Sequence, residues 1–345
     1  MSSHTHNGPR PSASTRAAAQ ACLARMAARR SGAAHQARES PAAMARGLAR
    51  TLLAEAGDAS HLSLVKGPGA DDVPDAGLAA AWPLRFGGAE PGHEKPLLYF
   101  LRASAASALS AACWETQDRG IILNLAETTP SRWTKGVMPD VPVWLNAYLP
   151  CTPYDPASAD EARAILRGAL QALYVDGDAG CCYLTLHGDD AGADPLSEPD
   201  AQAAWRGMYR IGPASADARI RLCGAGKALS RVIQAAGWLR RDWGIDSEIW
   251  SCPSYTRLAR DAGAADRWNG LNPLMTPRTS HLDACLNGDA RPVLAVTDYH
   301  QPIAGQIGAH VRAPFVAVGA DSQAREHARP ADAQWLVAMA LRMLG

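Results

Sequence analysis

Short apolar runs, each bounded on at least one side by Gly, Pro or Asp and mostly separated by stretches of helical length, constrain this chain more than any other feature. Leu97 to Leu101, Ile121 to Ala126, Cys181 to Leu186, Arg219 to Cys223, Glu248 to Cys252, Val293 to Thr297 and Phe315 to Val318 read as strands. Between them, Ala103 to Trp114, Lys227 to Trp243 and Ala333 to Leu344 read as helices, with Ser254 to Asp261 a shorter one. The best helix has apolar residues at Ala162, Ile165, Leu166, Ala169, Leu170 and Leu173, and Asp155-Pro156 is expected to supply its N-cap and first position. Strand, helix, strand order at this spacing predicts an α/β chain of two sandwich-like domains with mostly parallel sheets. The pattern resets after Gly212-Pro213, which places the domains at 51–212 and 213–345.

Composition bounds the core. Of 345 residues 69 are Ala, so large apolar surface has to come from Leu, Ile, Val and Trp. The most apolar stretch, Pro96 to Trp114, contains Arg102 and several Ser, and no membrane span is predicted. Equal numbers of basic and acidic side chains, 34 each, argue against bulk attraction to nucleic acid or an anionic membrane. The charge is unevenly spread, since the first 53 residues hold eight Arg and one acid, Glu39. Residues 1–50 are therefore expected to form a basic, flexible tail, a candidate docking segment of a cytoplasmic protein. The eight Cys include no CxxC pair, so buried thiols in a reducing compartment are expected, with no metal ligands.

Local motifs are sparse. Gly224-Ala-Gly226 lies between a strand and a helix, where backbone N–H groups can meet phosphate, but it lacks the third Gly and the acidic ribose ligand, which favours a plain tight turn. His187 and His300 follow predicted strands, and Asp298 stands where it can serve a ligand or cap the next helix. No GxxxxGK[ST], GxSxG or HExxH occurs.

A longer constellation is more specific. The segments Ile220–Gly226, Asp246–Ser251, Tyr255–Asp261, Arg267-Trp-Asn269, Pro277-Arg278 and Thr297-Asp-Tyr299 resemble, in order and spacing, the homodimeric bacterial-type decarboxylating component of the pyruvate dehydrogenase complex. Tyr154-Asp155-Pro156 with Glu161, Trp205–Tyr209, Cys113-Trp114 and Arg119-Gly120 extend the resemblance back to about residue 97. It implies a transketolase pyrimidine-type domain followed by a transketolase C-terminal-type domain, thiamine diphosphate with Mg²⁺ as cofactors, and a 2-oxo acid as substrate. It also implies a homodimer, or a partner chain that binds the diphosphate.

The same resemblance exposes departures. The family's metal motif, Gly-Asp-Gly with a later Asn, has no counterpart here; Gly177-Asp-Ala-Gly180 is the nearest match. Where the family carries Gly-Glu-Gly, this chain reads Thr134-Lys135-Gly136, a charge reversal at a place where thiamine chemistry needs a carboxylic acid. The aromatic residue that packs on the pyrimidine falls in the small-residue stretch Ala103 to Ser107, and the family's later active-site His falls near Gly192. Tyr154 is left as the candidate catalytic residue and Glu55, in Leu53-Ala-Glu-Ala-Gly57, as the candidate cofactor ligand. The expectation is an incomplete component that needs a separate diphosphate-binding chain and holds no cofactor alone, or else a non-catalytic binding or regulatory partner descended from it.

Overall fold

A computed structural model describes residues 10–32, 39–54, 61–73, 78–81, 84, 94–116, 119–189, 195–322 and 330–345. The chain divides into two compact units. The first takes residues up to Ser131 together with Gly136–Tyr154 and Ser158–Asp194, and the second takes Arg132–Lys135, Asp155–Ala157 and Pro195–Gly345.

The first unit is built on five parallel strands, β1 (Ser63–Lys66), β2 (Leu97–Leu101), β3 (Arg119–Asn124), β4 (Cys151–Tyr154) and β5 (Gly180–Thr185), in the order β1-β2-β3-β5-β4. All of β2, and β3 and β5 after their first residue, are buried, as continuous apolar runs require when both faces of a parallel sheet are covered. Sequence reading misses β1 and β4. Pro153 hides β4, which runs along the sheet's edge, where a missing donor is tolerated.

Residues 1–50 depart most from expectation. Instead of a flexible tail, the described part holds α1 (Ala13–Gly32) and the start of α2 (Pro41–Ala54). In α2, Met44, Leu48 and Leu52 recur every fourth residue and are buried with Ala42, Ala45 and Ala49. Small Ala side chains let α2 lie along the helix Ala159–Leu170, while α1 packs on the turn that ends that helix. The connecting helices are α3 (Ala106–Glu115), α4 (Asp140–Ala147) and α5 (Ala159–Leu170), which runs into a wider turn at Gln171–Asp176. Ser158, not Asp155, caps α5: its hydroxyl accepts from Glu161 N–H at 3.2 Å.

The second unit has β6 (Tyr209–Ile211), β7 (Ile220–Gly224), β8 (Ser247–Ser251), β9 (Val293–Val296) and β10 (Phe315–Val318) in the order β10-β9-β7-β8-β6, with β6 antiparallel at one edge. Alternation along the strands divides two cores. Ile220, Leu222, Leu294 and Val296 face α7 (Ala228–Trp243) and α11 (Ala333–Leu344). Cys223, Trp250, Val293 and Ala295 face α8 (Tyr255–Leu271), α9 (His281–Leu286) and α10 (Gln301–Gly305). Helix α8 continues well past Asp261, where the short helix was expected to stop, because its later turns are surface turns that no apolar stripe announces. The remaining helix, α6 (Glu198–Arg206), ends at Gly207 with φ +115° and leads into β6, so this unit begins before the predicted boundary at 213.

Beneath the second sheet lies a closed charge network. Arg221 on β7 donates to Glu248 on β8 at 3.0 Å, to the Leu286 carbonyl at 2.8 Å and to Asp289 at 2.8 Å, while Arg291 reaches Glu248 at 3.2 Å. Each buried charge has a partner of opposite sign, the condition under which burial is tolerated.

Candidate functional site

In open parallel sheets, ligand groups gather beyond the carboxyl ends of the strands. In the second unit those ends are Gly224, Ser251 and Val296, and the two short segments 132–135 and 155–157 join the unit there. Asp155 N–H donates to the Pro253 carbonyl at 2.7 Å, and the Asp155 carbonyl accepts from Gly226 N–H at 3.0 Å. This fastens Asp155 between the loops that follow β7 and β8.

The ammonium of Lys135 lies 2.9 Å from the Asp155 carboxylate, with its side chain fully buried and that of Asp155 nearly so. The same ammonium stands 5.3 Å from the centre of the Tyr299 ring. Lys135 has φ 59° and is the non-glycine residue with positive φ among those described, a conformation that costs about 1–2 kcal/mol. The strain and the buried charge occur at the same residue, a combination that marks a constrained position. Gly226 has φ +52°, and a Cβ there would run into the Asp155 carboxylate. The Gly224-Ala-Gly226 turn thus serves the carboxylate of Asp155 by leaving it room. Asp298 does not cap α10; its carboxylate accepts from Arg231, whose Nε donates to the Ala331 carbonyl at 2.8 Å. Below it, Tyr255 Oη donates to the Val296 carbonyl at 3.1 Å, and burial pushes this phenol well above its ordinary range.

The strand ends of the first unit are sealed by hydrogen bonds. Asn124, fully buried at the end of β3, accepts from Ala103 N–H at 3.0 Å and Ala126 N–H at 3.1 Å. Its amide donates to the Ala103 carbonyl at 2.8 Å and to Tyr183 Oη at 3.0 Å. Met138 N–H donates to the Ser104 carbonyl at 2.7 Å. The small-residue stretch after β2 is therefore tied to its own neighbours at Ala103 and Ser104.

The residues singled out from sequence fall into separate places. Tyr154 ends β4 and is buried, its Cα paired with that of Leu184. His187 follows β5, buried, and its carbonyl accepts from Ala42 N–H at 3.2 Å. His300 is half-buried ahead of α10. Glu55 lies outside the described residues. Gly226 and Tyr299 meet Asp155 and Lys135 in the second unit, whereas Asp298 is held by Arg231. The Lys135–Asp155 pair was missed because only chain folding joins residues 20 positions apart; the charge reversal at Lys135 was the available signal.

Among the described residues, one group of three His, Cys, Asp or Glu side chains could converge on an ion: Cys113, Cys151 and Cys181. Thiols are soft donors and do not suit Mg²⁺, a hard cation that takes oxygen.

Residues 207–322 match the family described as the transketolase-like TK C-terminal domain. The chain resembles a pyruvate dehydrogenase E1 component. It is 33% identical over 204 residues to the pyruvate dehydrogenase E1 component of Cupriavidus necator, covering 56% of this chain and 23% of that protein. The Escherichia coli K12 protein of the same name is 32% identical over 201 residues, covering 55% and 22%. The chain thus spans under a quarter of the length of these relatives. Among solved structures, transketolase from Leishmania mexicana aligns over 90% of this chain and 46% of its own, with TM-score 0.60 and 12% identity. A split-gene transketolase described as an inactive beta4 tetramer aligns over 87% of this chain and 97% of its own, with TM-score 0.51 and 15% identity. These structural likenesses establish the transketolase-like fold of two mostly parallel sheets. No helix among the described residues is long and apolar enough to cross a membrane.

Proposed function

We propose that this chain is a transketolase-fold binding or regulatory partner of a pyruvate dehydrogenase-type assembly, without catalytic activity of its own. The observation that carries this reading is the buried Lys135–Asp155 pair. At the position where the resemblance implies a carboxylic acid against the aminopyrimidine, the chain holds an ammonium already committed to a carboxylate. A cation there opposes protonation of the pyrimidine nitrogen that a carboxylic acid promotes. With Ala103 tied to Asn124 and only thiols gathered as a trio, the described residues do not fit thiamine diphosphate or Mg²⁺. Glu55 and Tyr154 therefore have no cofactor to serve in this reading.

A second reading, a subunit completed by a separate diphosphate-binding chain, is favoured by the split-gene transketolase, almost the whole of which this chain matches. One experiment separates the two. The chain is titrated with thiamine diphosphate and Mg²⁺ by calorimetry, alone and mixed with a chain bearing the Gly-Asp-Gly…Asn domain, and pyruvate decarboxylation is followed with ferricyanide. Association without cofactor binding or turnover is expected. Turnover by the mixture supports the split enzyme, and micromolar cofactor binding by this chain alone refutes both. Light scattering reports association through the α/β faces, and a strict monomer in every mixture counts against a partner role.

A further inference from the structure

Seven of the eight cysteines are buried, and three of them meet in the first unit although the chain brings them from three different elements. Cys151 opens β4 and Cys181 lies near the start of β5, and the parallel register makes them Cα partners. Partners across a ladder sit about 4.8 Å apart with side chains on the same face. Cys113, in the last turns of α3, comes over that face and places its Sγ 3.7 Å from Cys181 Sγ. All three sulfur atoms lie within 4.8 Å of one another. Gly120, the Cα partner of Cys181 on β3, adds no side chain to the group. Cys182 follows Cys181 along the strand and so points to the opposite face, which limits the set to three.

We infer that Cys113, Cys151 and Cys181 form a three-thiolate site for a soft metal ion, with Cu(I) as the ion it fits. Three ligands at about 2.3 Å from an ion in their plane stand about 4.0 Å apart. The observed sulfur separations need only small side-chain adjustments to reach that arrangement. Zn²⁺ is held almost always by four ligands, and no fourth His, Cys, Asp or Glu joins the group among the described residues. Thiolates select Cu(I) over harder ions. Each thiol that becomes a ligand releases its proton to solvent, and the ion keeps its oxidation state, so binding requires only Cu(I) and reducing conditions. In the metal-free chain the hydrogen-bonded neighbour Cys113, together with burial, holds the Cys151 and Cys181 thiols well above their ordinary range.

The test uses the full chain under anaerobic conditions, titrated with Cu(I) buffered by bicinchoninate and, separately, with Zn²⁺. One Cu(I) per chain is expected, with thiolate-to-copper absorption in the ultraviolet and three sulfur neighbours in X-ray absorption spectra of the wild-type protein. Cys151→Ala and Cys181→Ala are expected to lose this ion, whereas Cys223→Ala, a buried thiol in the second unit, is expected to keep it. Should the cluster variants fail to fold, the wild-type absorption spectrum still decides the ligand set. Copper without three sulfur neighbours, retention of the ion by the cluster variants when folded, or stoichiometric uptake of Zn²⁺ in place of Cu(I) would each overturn the assignment.

Discussion

Replacing Lys135 by Met keeps much of the side-chain volume and removes the charge, leaving the Asp155 carboxylate buried without its ammonium 2.9 Å away. At that separation and an effective dielectric of 20 the attraction is about 6 kcal/mol, of the same order as the several kcal/mol lost when each ion leaves water. The intact pair is therefore close to neutral for stability, and its value appears only when one partner is removed. Lys135→Met and Asp155→Asn should each cost about 3–5 kcal/mol, whereas the double variant should lie within about 1 kcal/mol of wild type. Backbone strain is separable from charge, because at φ 59° Lys135→Gly should be more stable than Lys135→Ala by about 1 kcal/mol. Urea unfolding followed by tryptophan fluorescence measures these differences, with limited proteolysis assigning the transition of the second unit, since two units need not unfold together. Single variants within about 1 kcal/mol of wild type, or a double variant as damaged as the sum of the singles, would refute the reasoning.

Two further outcomes concern the same unit. Gly226→Ala is expected to destabilise it by at least about 1 kcal/mol, because φ is positive and the new methyl group would press on the Asp155 carboxylate; an unchanged urea midpoint would contradict this. Hydrogen bonding from Arg291 holds the Asp289 carboxyl at about 2, below its ordinary 3.8, so its contribution is present above pH 3.8 and lost as pH falls through about 2. Acid unfolding of Asp289→Asn should accordingly show a shallower pH dependence between those values than wild type, and identical profiles would count against the network.

Much of the architecture was legible because parallel strands buried on both faces must be apolar runs and their crossover helices must carry a 3.6-residue stripe. β2, β3, β5, β7 and β9 satisfy the first condition, and α5, α7 and α11 the second. Elements that escape the rule were missed for stated reasons: β4 contains Pro153, α4 contains Pro142, and α1 and α2 bury Ala more than large side chains. Asp155-Pro156 has the form of a helix start, yet its carboxylate is taken by Lys135 and the cap passes to Ser158.

What the sequence determined by itself was the α/β class, the resemblance to a pyruvate dehydrogenase component, and the charge reversal at Lys135. What tertiary structure decided was where that charge goes and what it meets. A lysine in a loop is ordinarily solvated, and nothing in its neighbours announces that it is buried against Asp155 and Tyr299. The three thiols likewise carry no motif, since their positions are far apart and only the register of β4 on β5 and the path of α3 bring them together. Periodicity reports which face of an element is buried, because burial is an average over many side chains. A pair or trio of polar groups depends on which elements are neighbours, and that is fixed only when the sheet order is.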